Sequence, residues 1–150
     1  MQLFAEGYNC AQSVVGAWAD HFGLDMDTAL RISSSFGGGI GRMRLTCGAA
    51  SGMFMLAGLA TGTTDPKDRE AKAHNYQVVQ QLAEAFRQEM GSIICAELLG
   101  LNREQRTEKN EQNTTSPVPD ERTPEYYRKR PCKEIVGCAS RIFGQFLSEH

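Results

Sequence analysis

A chain of 150 residues, 41% hydrophobic and 23% charged, has the size and composition of one globular domain with a sizeable core. Its 16 basic and 18 acidic residues leave a net charge of -2, which argues against a general nucleic-acid binder, since such proteins carry a basic surplus on one face. No apolar run approaches the ~20 residues of a membrane span, and the opening MQLFAEGYNC lacks the basic-then-apolar pattern of a secretory signal. A cytoplasmic protein without membrane or nucleic-acid partners is expected.

Taken in chain order, Asn9 caps a predicted helix over residues 10–21, with Val14, Val15, Trp18 and Phe22 on one face and Gly23 as its stop. A second helix follows Asp25, built on Met26, Ala29, Leu30 and Ile32, and fails at Phe36-Gly37. After a glycine-rich stretch, Thr46 is placed to cap a helix over residues 47–60. That segment is apolar nearly all round, which marks it as central and buried. Its small residues Gly48, Gly52 and Gly58 suit close packing of a helix or a ligand.

A long amphipathic helix is predicted over residues 67–90, with Val78, Leu82 and Phe86 on its ridge, and Gly91 ends it. Ser92 is placed to cap a short helix running through Cys95 to Gly100. The composition then shifts: residues 102–131 are highly charged and carry four prolines, and read as an exposed, partly disordered excursion. Within it the run Tyr127-Arg-Lys-Arg130 reads as solvated surface, with contact to an acidic partner as the alternative. The last helix, over residues 132–147, has a clean stripe through Ile135, Val136, Ala139, Ile142 and Phe143. Nothing alternates with period two, so the expected fold is all-α, a single-domain bundle of about five helices.

Five cysteines, at 10, 47, 95, 132 and 138, contain no Cys-x-x-Cys pair, so neither a zinc finger nor a thioredoxin-type motif is present. On the helix map Cys10, Cys47, Cys95 and Cys132 all fall in the first turn of a predicted helix. Unpaired N–H groups and a partial positive charge there favour the thiolate. Cys138 lies inside the last helix, turned about 120° and ~9 Å along the axis from Cys132, too far for a disulfide between them. It is expected to fill the core.

The glycine run FGGGIGRMRLTCGAASG, residues 36–52, could in principle cradle a phosphate. A Walker loop needs Gly-Lys-Ser/Thr at its end, and Arg42-Met43-Arg44 stands there instead. A dinucleotide fingerprint needs a preceding strand and a third glycine in register, and both are missing. What remains is a pliable connection delivering Cys47 to its helix, with Gly38, Gly39, Gly41 and Arg42 as candidate ligand-approach residues and Arg44 beside them.

The blocks GYNCAQSV (7–14), FGGGIGRMRLTCGAASG (36–52), FRQEMGSIICAELLG (86–100) and PCKEIVGCA (131–139), in that order, resemble the C_GCAxxG_C_C family of small prokaryotic proteins described as redox-active. The resemblance places that family's four cysteines on Cys10, Cys47, Cys95 and Cys132. It departs at Cys47-Gly48, where cysteine precedes glycine. It implies redox or metal chemistry, with an unspecified redox partner, and names no substrate.

Two chemistries are therefore expected to compete. One is thiol–disulfide exchange or electron transfer through the four helix-start cysteines, with Cys47 as the favoured nucleophile. The alternative uses the same four as ligands of zinc or an iron–sulfur cluster. A helical interaction domain with cysteines as mere packing is the third, and self-association stays open.

Overall fold

Asn9 sets the first long helix in place. Its side chain accepts from the Gln12 N–H at 2.9 Å, and the Gln12 side chain accepts from the Asn9 N–H at 3.1 Å, a reciprocal cap that starts a helix at Cys10. Both side chains also reach sideways. Asn9 Nδ2 donates to the Ser34 carbonyl at 2.9 Å and Gln12 Nε2 to the Leu30 carbonyl at 3.0 Å, which docks the next helix against this one.

The computed structural model describes residues 1–101 and 115–150. It contains α1 (Gln2–Ala5), α2 (Cys10–Trp18), α3 (Met26–Ser33), α4 (Gly48–Thr61), α5 (Arg69–Met90), α6 (Cys95–Leu98), α7 (Pro124–Lys129) and α8 (Cys132–Glu149). The five longer ones are those the sequence periodicity predicts, and among the described residues there is no strand, so the fold is all-α. The predicted first helix stops at Trp18. Residues Asp20–Phe22 tighten into a single 3-10 turn, and Gly23 leaves it at φ 64°. No helix among the described residues is long and apolar enough to cross a membrane.

α4 is the central helix, as its all-round apolar sequence predicts; Ala49, Ala50, Met53, Leu56 and Ala57 are fully buried. Around it pack α2, α5 and α8, joined by Val14, Phe86 and Phe143 in one continuous core. Fully burying side chains of this size contributes roughly 1.5–3 kcal/mol each. Trp18 closes the contact between α2 and α8: its ring meets Phe143 edge-on at 5.2 Å, and its Nε1–H donates to Ser140 Oγ at 3.0 Å.

Glycines on one face of α4 fix how near it comes to α2. A Cβ at Gly48 would lie 2.8 Å from the Phe36 carbonyl and 3.3 Å from both the Ala11 N and the Cys10 Cβ. A Cβ at Gly52 would lie 3.1 Å from the Ala11 carbonyl and from the Val14 Cβ. The start of α4, carrying Cys47, is thereby held against the start of α2, carrying Cys10.

The charged stretch expected as an excursion divides in two. Residues 102–114 lie outside the described residues. From 115 onward the chain packs back on the bundle: Arg122 donates through Nη2 to the Tyr8 carbonyl at 2.6 Å and through Nη1 to the Phe4 carbonyl, and its guanidinium stacks 4.3 Å above the Phe4 ring. Thr123 then caps α7 by accepting from the Tyr126 N–H, with Pro124 in its first turn. The basic run that follows is therefore not wholly solvated surface, because Arg130 is half-buried and bound to Asp120 at 2.8 Å.

Candidate functional site

The glycine-rich connection is a left-handed coil. Gly38, Gly39 and Gly41 take positive φ, as do the non-glycine residues Ile40 (67°), Arg42 (65°) and Arg44 (61°). Each non-glycine in this region costs on the order of 1–2 kcal/mol. Long-reaching backbone bonds sustain it: Gly41 N–H to the Ser35 carbonyl at 2.7 Å, Arg44 N–H to Gly38 at 3.2 Å and Leu45 N–H to Gly39 at 2.9 Å. At Gly39 no side chain fits, since a Cβ would lie 2.6 Å from the Cys95 Cβ and 2.7 Å from the Leu45 N. The coil lets backbone approach the Cys95 thiol and turns Arg44 inward, where it is 4% exposed.

From there the chain runs antiparallel to the segment before α6. Thr46 bridges Ile94, flanked by bonds from the Cys47 N–H to the Ile93 carbonyl at 2.7 Å and from the Cys95 N–H to the Leu45 carbonyl at 2.6 Å. Side chains alternate along such a ribbon, so Cys47 and Cys95, each one residue past the bridge, share its opposite face. Thr46 is thus occupied by the bridge and does not cap α4; Cys47 itself holds the N-cap position. Nor does Ser92 cap α6. It accepts from the Ile94 N–H at 2.9 Å and bonds Glu97, and Ile94 holds the cap position.

One pocket of about 70 Å³ gathers the result: it is lined by Cys10, Cys47, Cys95 and Cys132, with Arg44 and Arg130 among its other walls. Each of Cys10 and Cys132 is the largest influence on the other's protonation, through a side-chain hydrogen bond. Arg44 Nη1 donates to Cys95 Sγ at 3.7 Å. The four sulfurs come from the starts of α2, α4, α6 and α8, so the helix ends that the sequence singles out do converge in space.

Their protonation differs sharply. Cys132 is held down to about 7 by the hydrogen bond from Cys10 and by the guanidinium groups of Arg130, Arg44 and Arg122, against the opposing effect of burial. The same hydrogen bond, together with burial, raises Cys10 well above the usual thiol range, so the two thiols titrate as a linked pair. Burial pushes Cys47 up to about 12. The N–H groups of Ala50 and Ala49 pull the other way, but without capping geometry they do not offset desolvation. Cys95 is likewise raised by burial, with Arg44 opposing. A helix start alone therefore does not make a thiolate here; guanidinium groups and a donor thiol do.

Gly38 and Gly39 line this pocket, whereas Gly41 and Arg42 line the adjoining groove. Cys138 lines neither. It is buried between α5 and α8, donates to Glu89 Oε2 at 3.2 Å, and is pushed up to about 11 by burial and that carboxylate. Three wall residues escape the sequence reading: Arg122, Tyr126 and Arg130. The basic run ending at Arg130 was the available signal, but its sequence context resembles solvated surface.

The fit to a metal fails on geometry. Among the described residues no three His, Cys, Asp or Glu side chains come together as a group able to hold a metal ion, and cationic Arg44 and Arg130 share the pocket with the thiols. The four cysteines as they stand do not form the ligand set of zinc or an iron–sulfur cluster.

Comparison with curated proteins and with solved structures finds no match. The family described as "Putative redox-active protein (C_GCAxxG_C_C)" matches residues 8–146, a span that takes in all four pocket cysteines from Cys10 to Cys132. With four cysteines gathered at one pocket and nearly the full chain matched, the protein belongs to the C_GCAxxG_C_C family.

Proposed function

We propose that the protein is a thiol–disulfide oxidoreductase in which Cys132 attacks and Cys10 resolves. The observation that carries this is that Cys10 and Cys132, each the largest influence on the other's protonation, line one pocket walled by guanidinium groups. The Cys132 thiolate attacks one sulfur of a disulfide RS–SR, forming Cys132–SR and expelling RS⁻, which takes up a proton. Cys10 gives up its own proton and displaces the second RS⁻ from Cys132. The protein dithiol becomes a Cys10–Cys132 disulfide, and one RS–SR becomes two RSH, a two-electron exchange.

Cys47, the nucleophile favoured from sequence, is too strongly protonated for the first attack. Together with Cys95 it supplies a second dithiol lining the same pocket, able to exchange with the first. In a reducing cytoplasm both pairs rest as dithiols, and a redox partner restores them after turnover. The test is thiol counting and mass spectrometry after a small disulfide is added to reduced protein. A Cys10–Cys132 bond is expected, with Cys10→Ser trapping a mixed disulfide on Cys132. Five free thiols remaining after that treatment would sink the proposal.

A further inference from the structure

An open groove of about 760 Å³ adjoins the thiol pocket and shares Gly38, Arg44, Arg122, Tyr126 and Arg130 with it. Four guanidinium groups line the groove, those of Arg42, Arg44, Arg122 and Arg130, against a single carboxylate, Asp120, among the described lining residues. Asp120 is already shared: its Oδ2 accepts from Arg42 at 3.3 Å and from Arg130 at 2.8 Å. Arg42 keeps a buried Nε with no hydrogen-bond partner among the described residues. In a chain of net charge -2, this concentration of positive charge beside reactive sulfur is local and specific.

We infer that the groove binds the anionic part of a low-molecular-weight disulfide and so delivers its sulfur to Cys132; this rests on the thiol–disulfide chemistry proposed above. The volume falls within the range of roughly 300–1,000 Å³ typical of small-molecule sites and exceeds what a bare inorganic oxyanion fills. Guanidinium forks recognise carboxylate and phosphate alike, so the shared chemistry is an anionic group attached to a disulfide. The exchange is the balanced two-electron step already given: the protein is oxidised to the Cys10–Cys132 disulfide and the bound disulfide is reduced to two thiols.

Three probes separate the sources of charge: glutathione disulfide carries carboxylates, coenzyme A disulfide carries phosphates, and hydroxyethyl disulfide is neutral. At low salt at least one anionic probe is expected to oxidise the reduced protein about tenfold faster than the neutral one. Salt at about 0.5 M should collapse that ratio. Arg42→Gln should lower the anionic-to-neutral ratio by most of its value, and Arg42→Lys should retain a large part of it. Equal rates for all three probes, or a ratio unmoved by Arg42→Gln, overturns the inference.

Binding isolates the groove from the chemistry. Cys132→Ser protein should bind glutathione disulfide or coenzyme A disulfide by calorimetry, with an affinity that Arg42→Gln weakens. If wild type reduces no disulfide yet this Arg42-dependent binding persists, the groove stands and the redox proposal falls. Tight binding of inorganic sulfate equal to that of both anionic disulfides would instead make this a plain oxyanion site and overturn the inference.

Discussion

A thiol at a helix start is pulled in two directions: the unpaired N–H groups favour the thiolate, and burial favours the neutral form. Cys47 and Cys132 are 5% and 9% exposed, so burial acts on both, and the neighbours decide the outcome. Cys132 has a donor thiol and three guanidinium groups, whereas Cys47 has two N–H groups without capping geometry. Iodoacetamide should therefore modify Cys132 before Cys47. Its rate should climb as pH rises through about 7 and level off above it, because the thiolate is the reacting form. Cys10→Ala removes the hydrogen bond that stabilises the thiolate, so the midpoint should move up and the rate at pH 7 fall. Peptide mapping by mass spectrometry reads both, and Cys47 reacting first would refute the assignment. The places of four cysteines at helix starts were legible in the sequence, and those four line one pocket; their ranking was not legible, since it depends on Arg44, Arg122 and Arg130 arriving from distant segments.

Between elements, the glycines of α4 have opposite duties that a matched pair of substitutions exposes. At Gly48 an added methyl meets the Phe36 carbonyl at 2.8 Å and the Ala11 N at 3.3 Å, backbone atoms that cannot swing away. Gly48→Ala should destabilise the fold by about 1–3 kcal/mol and move Cys10 away from Cys47. At Gly58 the methyl meets nothing within 4 Å among the described residues, and glycine inside a helix costs roughly 0.5–1 kcal/mol relative to alanine. Gly58→Ala should therefore stabilise by about that amount. Denaturant midpoints of the two variants should shift in opposite directions, and shifts of the same sign would contradict the close α2–α4 crossing. The helices themselves were readable because hydrophobic periodicity is a local signal: Asn9, Gly23 and Gly91 mark their ends at or near the expected positions. The Thr46–Ile94 bridge was not readable, because a single pairing between distant segments leaves no period in either one.

At the scale of the molecule, the contact between Cys10 and Cys132 joins the first long helix to the last. A disulfide there closes a loop of about 120 residues; the chain-entropy account gives about 5 kcal/mol for such a loop, of which disulfides typically deliver roughly 2–4 kcal/mol. The two thiols already line one small pocket in the reduced fold, so little of that gain should be lost to rearrangement. α2 and α8 are also held together independently, by Trp18 on Ser140 and Phe143, which keeps the reduced protein folded and its helix starts together. Oxidised protein should therefore unfold at higher denaturant than reduced protein, by about 2–4 kcal/mol. Reductant should abolish the difference, and Cys10→Ser should show none. The coupling runs both ways: whatever the bond adds to the fold, the fold returns as resistance of the bond to reduction. A partner that restores the dithiol must overcome that resistance, so refolded and denatured protein should differ in the dithiothreitol concentration at which the Cys10–Cys132 bond is half reduced, with the folded form needing more. Equal concentrations for the two would mean that the bond forms elsewhere than between these two helix starts.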